Sequence, residues 1–174
     1  MNTTAPDGMA ALRGAIQSSY DRQMRYALAL VEDLGLDEMV AQPVAGVVMN
    51  HPAWVLSHLN AYMPVLTVML GGGTPEDPID HEHGRKSVPE PDAGSYLPKD
   101  DLVAKYVALH GRASEAFSGA SLALLANATP IPRFTDRFPT IADVAVQLMI
   151  KHEATHLGQL SAWRRAGGRS MVTP

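Results

Sequence analysis

The sequence predicts an all-α fold, a single four-helix bundle, and three observations carry that expectation. Four segments place apolar residues three and four positions apart. The ends of those segments coincide with residues that start or stop helices. Nothing alternates with the period of two that a strand needs, apart from short ambiguous pieces such as Val44 to Met49.

In the first segment Leu12, Ile16, Tyr20, Met24, Ala27, Val31 and Leu34 form the stripe, and Gly35 gives the stop. The second opens at Asn50-His51-Pro52, an N-cap followed by the proline that helix starts favour. Its stripe is Val55, His58, Tyr62, Leu66 and Met69, and it ends at Gly71-Gly72-Gly73. Pro64 lies inside it and predicts a kink or local break. The third follows Pro98 with Val103, Tyr106, His110, Ala113, Phe117, Ala120 and Leu124. The fourth starts at Thr140, with Asp143 placed for a capping box. It continues through Ile141, Ala145, Leu148, His152, His156, Gln159 and Trp163 to a stop at Gly167-Gly168.

Residues 71–98 hold five glycines and five prolines, which suits neither a regular element nor a tight hairpin. A loop of that length can carry a crossover connection along a bundle, so either an up-and-down or a crossover arrangement is expected. Residues 128–139 form a second proline-containing loop. No internal repeat or low-complexity tract is present.

The 174 residues suit one domain, 1–174, with enough chain to bury a core. The net charge of −4, from 14 basic and 18 acidic residues, argues against nucleic acid and anionic membranes as partners. Arg164, Arg165 and Arg169 cluster where the last helix ends and are expected to complement its dipole. With no cysteine, disulfides, thiolate metal sites and a cysteine nucleophile are excluded. Met1 to Gly8 lacks the pattern of a signal peptide, and no apolar run approaches the ~18 residues expected of a membrane span. A cytoplasmic protein is expected.

The seven histidines are the informative residues. His152 and His156 stand four apart, so on a helix they project from one face about 6 Å apart. Two imidazoles at that spacing can meet one metal, each at about 2.0–2.1 Å. Both occupy positions of the apolar stripe, and so does His58 on the second helix. A buried imidazole left without partners costs about 1–3 kcal/mol, so three on core stripes ask for a common explanation. One divalent metal held by His58, His152 and His156 supplies it; hydrogen bonds to neighbouring side chains are the plainer alternative. His110, also on a core stripe, is a candidate fourth ligand or a partner of one. His51 lies about 10 Å from His58 along the helix, too far to share a metal. His81 and His83 flank Glu82 in the long loop and read as solvated polar residues.

Residues 152–156 read His-Glu-Ala-Thr-His, a formal match to the zincin motif in which Glu is the general base. The match is local. Gln159 and Ala162 stand where a metzincin continues with Gly and His, and no acidic residue follows Glu153 as a third ligand.

Trp54-Val55-Leu56-Ser57-His58-Leu59, followed by His152-Glu153-Ala154-Thr155-His156-Leu157-Gly158-Gln159-Leu160, resembles the DinB/YfiT-like superfamily of metalloenzymes. There a tryptophan four residues before the first histidine opens the signature, and the late helix carries H-x-x-x-H followed by G-Q. The resemblance implies a four-helix bundle of that type with a long crossover loop, and His58, His152 and His156 as the metal ligands. Thr155 and Leu157 depart from the His and Arg often seen beside the last ligand. Some relatives are bacillithiol S-transferases or mycothiol-dependent maleylpyruvate isomerases. A thiol-dependent transferase or isomerase acting on a small molecule is therefore implied, and any low-molecular-weight thiol must arrive as cosubstrate. Gln159, one turn past His156, is the candidate catalytic residue, orienting water or substrate; a bond between helices is its other reading.

Rival expectations are a non-catalytic metal-binding or stress-related protein and a metal-dependent hydrolase. In the hydrolase Glu153 would be the base, although it points about 100° away from His152 on an ideal helix. Three imidazoles suit Zn, Ni, Fe, Mn and Cu alike. A homodimer is a further expectation of the resemblance.

Overall fold

A computed structural model describes residues 8–173, and every regular element among them is helical. Three long helices, α1 (Gly8–Val31), α2 (Pro52–Leu70) and α3 (Lys99–Gly119), are followed by a single turn, α4 (Leu122–Leu125). The last rod is composite. α5 (Ile141–Val146) passes into a π-helical turn (Gln147–His152) and on into α6 (Glu153–Ala166) without a break.

Local chemistry sets the ends. The His51 ring nitrogen Nδ1 accepts the Trp54 N–H at 3.2 Å and Pro52 takes the first helical position. Thr140 and Asp143 cap each other reciprocally, as the sequence predicts. Gly72 (φ 84°) and Gly168 (φ 71°) turn the chain away after α2 and α6 in a conformation that other residues resist.

Four expectations are corrected. α2 runs unbroken through Pro64. Proline removes one hydrogen bond there, and the buried residues on either side, Met63 and Val65, hold the helix together. The third helix stops at Gly119, because Ala120 is extended and Ser121 caps α4. The first helix ends at Val31, short of Leu34 and of the stop expected at Gly35. Finally, α2 is long and apolar enough by composition to cross a membrane. Burial accounts for that composition, since fifteen of its nineteen residues lie in the interior of the fold.

Contacts fix the directions of the rods. Arg13 reaches the carbonyls of Phe117 and Ser118, and Lys99 reaches those of Glu32 and Leu34, so α1 and α3 are antiparallel. Gln23 bonds the Met149 carbonyl and Arg164 that of Leu30, so α1 and α6 run the same way. α2 and α3 are parallel: Leu56 and Leu59 share a cluster with Leu102 and Tyr106, while Leu66 and Met69 share one with Ala113 and Phe117. The 71–98 connection therefore travels back along the fold, the crossover that its length suggests.

The arginines at and just beyond the end of α6 do more than complement a dipole. Arg164 is buried, binds both carboxylate oxygens of Asp33 at 2.5 and 3.0 Å, and donates to Leu30 O. Arg169 joins it through Asp33 and Glu38. Together they fasten the end of α6 to the end of α1.

The core has two clusters, one around Tyr62, Met69, Phe117 and Met149, the other around Leu30, Leu56, Tyr106 and Trp163. His58, His152 and His156 lie where the two meet.

Candidate metal centre

α2 presents His58, the last residue of the π turn presents His152, and α6 presents His156. One ring nitrogen from each lies within 4.8 Å of those of the other two. His58 Nε2 and His152 Nε2 are 3.0 Å apart. Two nitrogens at 2.0–2.1 Å from one ion are separated by about 3.0–3.4 Å, a spacing that His58 and His152 already have.

Neighbouring groups aim the nitrogens. His58 Nδ1 lies 2.7 Å from the carbonyl oxygen of His83, which accepts its hydrogen and leaves Nε2 bare toward His152. His156 Nδ1 lies 2.9 Å from Gln159 Oε1, an acceptor that also takes a hydrogen from Asn50 Nδ2 at 2.9 Å. Such contacts fix tautomer and ring orientation at metal sites. Burial is the largest influence on all three imidazoles and disfavours their charged forms. It brings His58 down to about 4 and His152 to about 2, with the neighbouring histidines adding to it. The neutral imidazole is the form that binds metal, so the donor set fits a divalent ion.

The crossover loop is part of the centre. Gly84 sits so close to the loop backbone that a Cβ there would overlap the Pro78 carbonyl oxygen. That close turn brings the His83 carbonyl to His58. Trp54 stacks on His58 with ring centres 4.7 Å apart and donates from Nε1 to Ser87 Oγ, which itself donates to Gly84 O. Its indole is a wall of the site tied to the loop.

On the outer side the triad opens into a cleft of about 550 Å³. Trp54, Tyr62, Phe134, Phe138 and Leu148 give it apolar walls, and Arg85, Arg133, Arg137 and Lys151 give it cations. Tyr62 stands against His152 and His58, with centroids 4.8 and 4.9 Å away.

The remaining candidates divide. His110 is not drawn to the triad: it stacks on Tyr20 at 3.5 Å and faces Glu153, with Nε2 3.7 Å from Oε2. Glu153 also accepts a hydrogen bond from the Tyr106 hydroxyl and is buried in the interior, away from the cleft. Burial pushes its carboxyl up to about 8 and holds His110 down at about 4, which makes them an uncharged pair at neutral pH. His51 caps α2 and lies 2.9 Å from Glu90 O. His81 accepts the His83 N–H within the loop, and neither imidazole joins the triad.

Sequence reading missed the π turn, the His83 carbonyl, the Tyr106–Glu153–His110 group and the cationic rim. Only the buried group left a signal, since Tyr106 and His110 stand one turn apart on a core stripe.

A family model described as the DinB superfamily matches residues 19–160. No curated protein and no solved structure matches the chain.

Proposed function

The chain belongs to the DinB superfamily, and on that premise we propose that it is a metal-dependent enzyme acting on a small molecule. One observation carries this reading: three buried imidazole nitrogens converge at the base of an open cleft. A divalent ion held there supplies Lewis acidity, lowering the pKa of a bound thiol or water.

The chain's own groups do the rest. His83 O and Gln159 Oε1 hold the tautomers of His58 and His156. Gln159 thereby acts as a positioning residue. Trp54 and Phe138 give the cleft apolar walls that exclude water beside the triad, and Tyr62, hydrogen-bonded to Arg133, packs against His58 and His152. Thiol transfer or isomerisation suits such a site, with the thiol entering as cosubstrate because the chain has no cysteine.

A purely metal-storing protein would close the sphere with a fourth side chain. The residue expected for that, His110, is turned to Glu153. A hydrolase with Glu153 as base is disfavoured by the same contact, which keeps the carboxylate behind the helix.

The test is to load the protein with zinc and supply a low-molecular-weight thiol, with monochlorobimane as electrophile, and measure thioether formation. Turnover that needs both thiol and metal, and is lost in His152→Ala, supports the reading. A fully loaded protein inert with glutathione, bacillithiol and mycothiol would count against thiol transfer.

A further inference from the structure

The rim of the cleft carries charge that metal binding does not explain. Four of the chain's 14 basic side chains, Arg85, Arg133, Arg137 and Lys151, line it, although the whole molecule is acidic. No Asp or Glu is among the lining residues. The cations come from three separate parts of the chain: the crossover loop, the 128–139 loop and the π turn beside His152. Arg133 is committed, since it grips both oxygens of Asp77 at 2.6 and 2.7 Å. Among the described residues Arg85, Arg137 and Lys151 have no carboxylate partner within salt-bridge distance.

Three uncompensated cations around one concave, partly apolar space repel one another, and an anion relieves that repulsion. Aromatic walls at Phe134 and Phe138 beside them favour an apolar body attached to the anion. The cleft size lies within the range of small-molecule sites, about 300–1,000 Å³.

We propose that Arg85, Arg137 and Lys151 form an anion subsite that takes the carboxylate or phosphate group of the substrate and holds its apolar body over the histidine triad. This deepens the metal-dependent reading and rests on it. Guanidinium groups suit both anions through paired hydrogen bonds.

Calorimetric titration at low ionic strength tests it. Zinc-loaded protein is titrated with malonate, with inorganic phosphate and with malonamide as the uncharged counterpart, beside an Arg137→Gln/Lys151→Gln variant whose zinc content is measured in parallel. Both side chains are exposed, so the fold is expected to persist. The expected result is binding of malonate or phosphate, weakened about tenfold or more in the variant at equal zinc content, and no binding of malonamide. The tighter of the two anions names the group. An anion bound equally well by the variant is held by the metal alone and overturns the subsite, as does a parent that binds neither. A parent that takes up no zinc, yet binds malonate and loses it when the two cations are removed, refutes the metal reading and leaves the subsite standing.

Discussion

The His58 ring donates from Nδ1 to the main-chain carbonyl of His83 at 2.7 Å, so a loop residue orients the first ligand with its backbone. The imidazole of His83 plays no part in that contact. The crossover loop is thereby structural to the centre rather than a cover over it.

Gly84 is where this dependence can be tested. An alanine there drives a Cβ into the Pro78 carbonyl and forces the loop to shift. Gly84→Ala is expected to keep its helical circular dichroism while metal affinity falls about 10–100-fold, the usual effect of losing an outer hydrogen bond. Competition with a chromophoric chelator measures it. Unchanged affinity would mean that His58 needs no partner.

Gln159 makes a sharper pair of variants. Gln159→Leu removes the acceptor for His156 Nδ1, and affinity is expected to drop about tenfold or more. Gln159→Glu keeps an acceptor for both His156 and Asn50 and is expected to restore most of it. Equal losses in both would point to packing instead.

Glu153 is held as a neutral acid, so glutamine should replace it with little penalty. Glu153→Gln still accepts from the Tyr106 hydroxyl and is expected to cost at most about 1 kcal/mol at pH 7 with the metal retained. Glu153→Ala strands the Tyr106 hydroxyl and His110, at about 1–3 kcal/mol before any cavity is counted. Denaturant unfolding gives both values. A drop of 100-fold in turnover for Glu153→Gln at full metal content would revive the hydrolase reading.

Acid sensitivity follows from the depressed imidazoles. His58 and His110 lie at about 4 and His152 at about 2 in the folded state, against about 6.5 unfolded. Below pH 6.5 the unfolded chain takes up protons that the folded one refuses, so stability falls as pH falls, by about 1.4 kcal/mol per pH unit for each group. Glu153 opposes this between its unfolded value of about 4.3 and its folded value of about 8, because the folded state there binds the extra proton. With three imidazoles against one carboxyl, the metal-free protein is expected to lose thermal stability steadily from pH 6.5 to 5. A flat profile would show that the imidazoles are solvated.

Much of this was legible in the sequence because it depends on residue type and spacing. The i, i+4 pair His152 and His156, His58 on a core stripe, the Thr140–Asp143 capping box and the glycine stops after α2 and α6 all obey local rules. The local break expected at Pro64 is absent, because burial of the surrounding helix outweighs one lost hydrogen bond. The π turn has no residue signature; it ends at His152, which borders the cleft, and the next residue, Glu153, is buried. A backbone acceptor such as His83 O exists at every residue, so nothing in the letters marks it. The cationic rim gathers side chains far apart in the chain, and only folding brings them together.

The central claim, that His58, His152 and His156 hold one divalent ion, is tested most directly by elemental analysis. Tag-free protein should be measured beside a His152→Ala/His156→Ala variant, both after dialysis against zinc and removal of the excess. About one ion per chain in the parent and almost none in the variant is the expected result. No metal in either protein would contradict the claim and leave three buried imidazoles to be explained by hydrogen bonding alone.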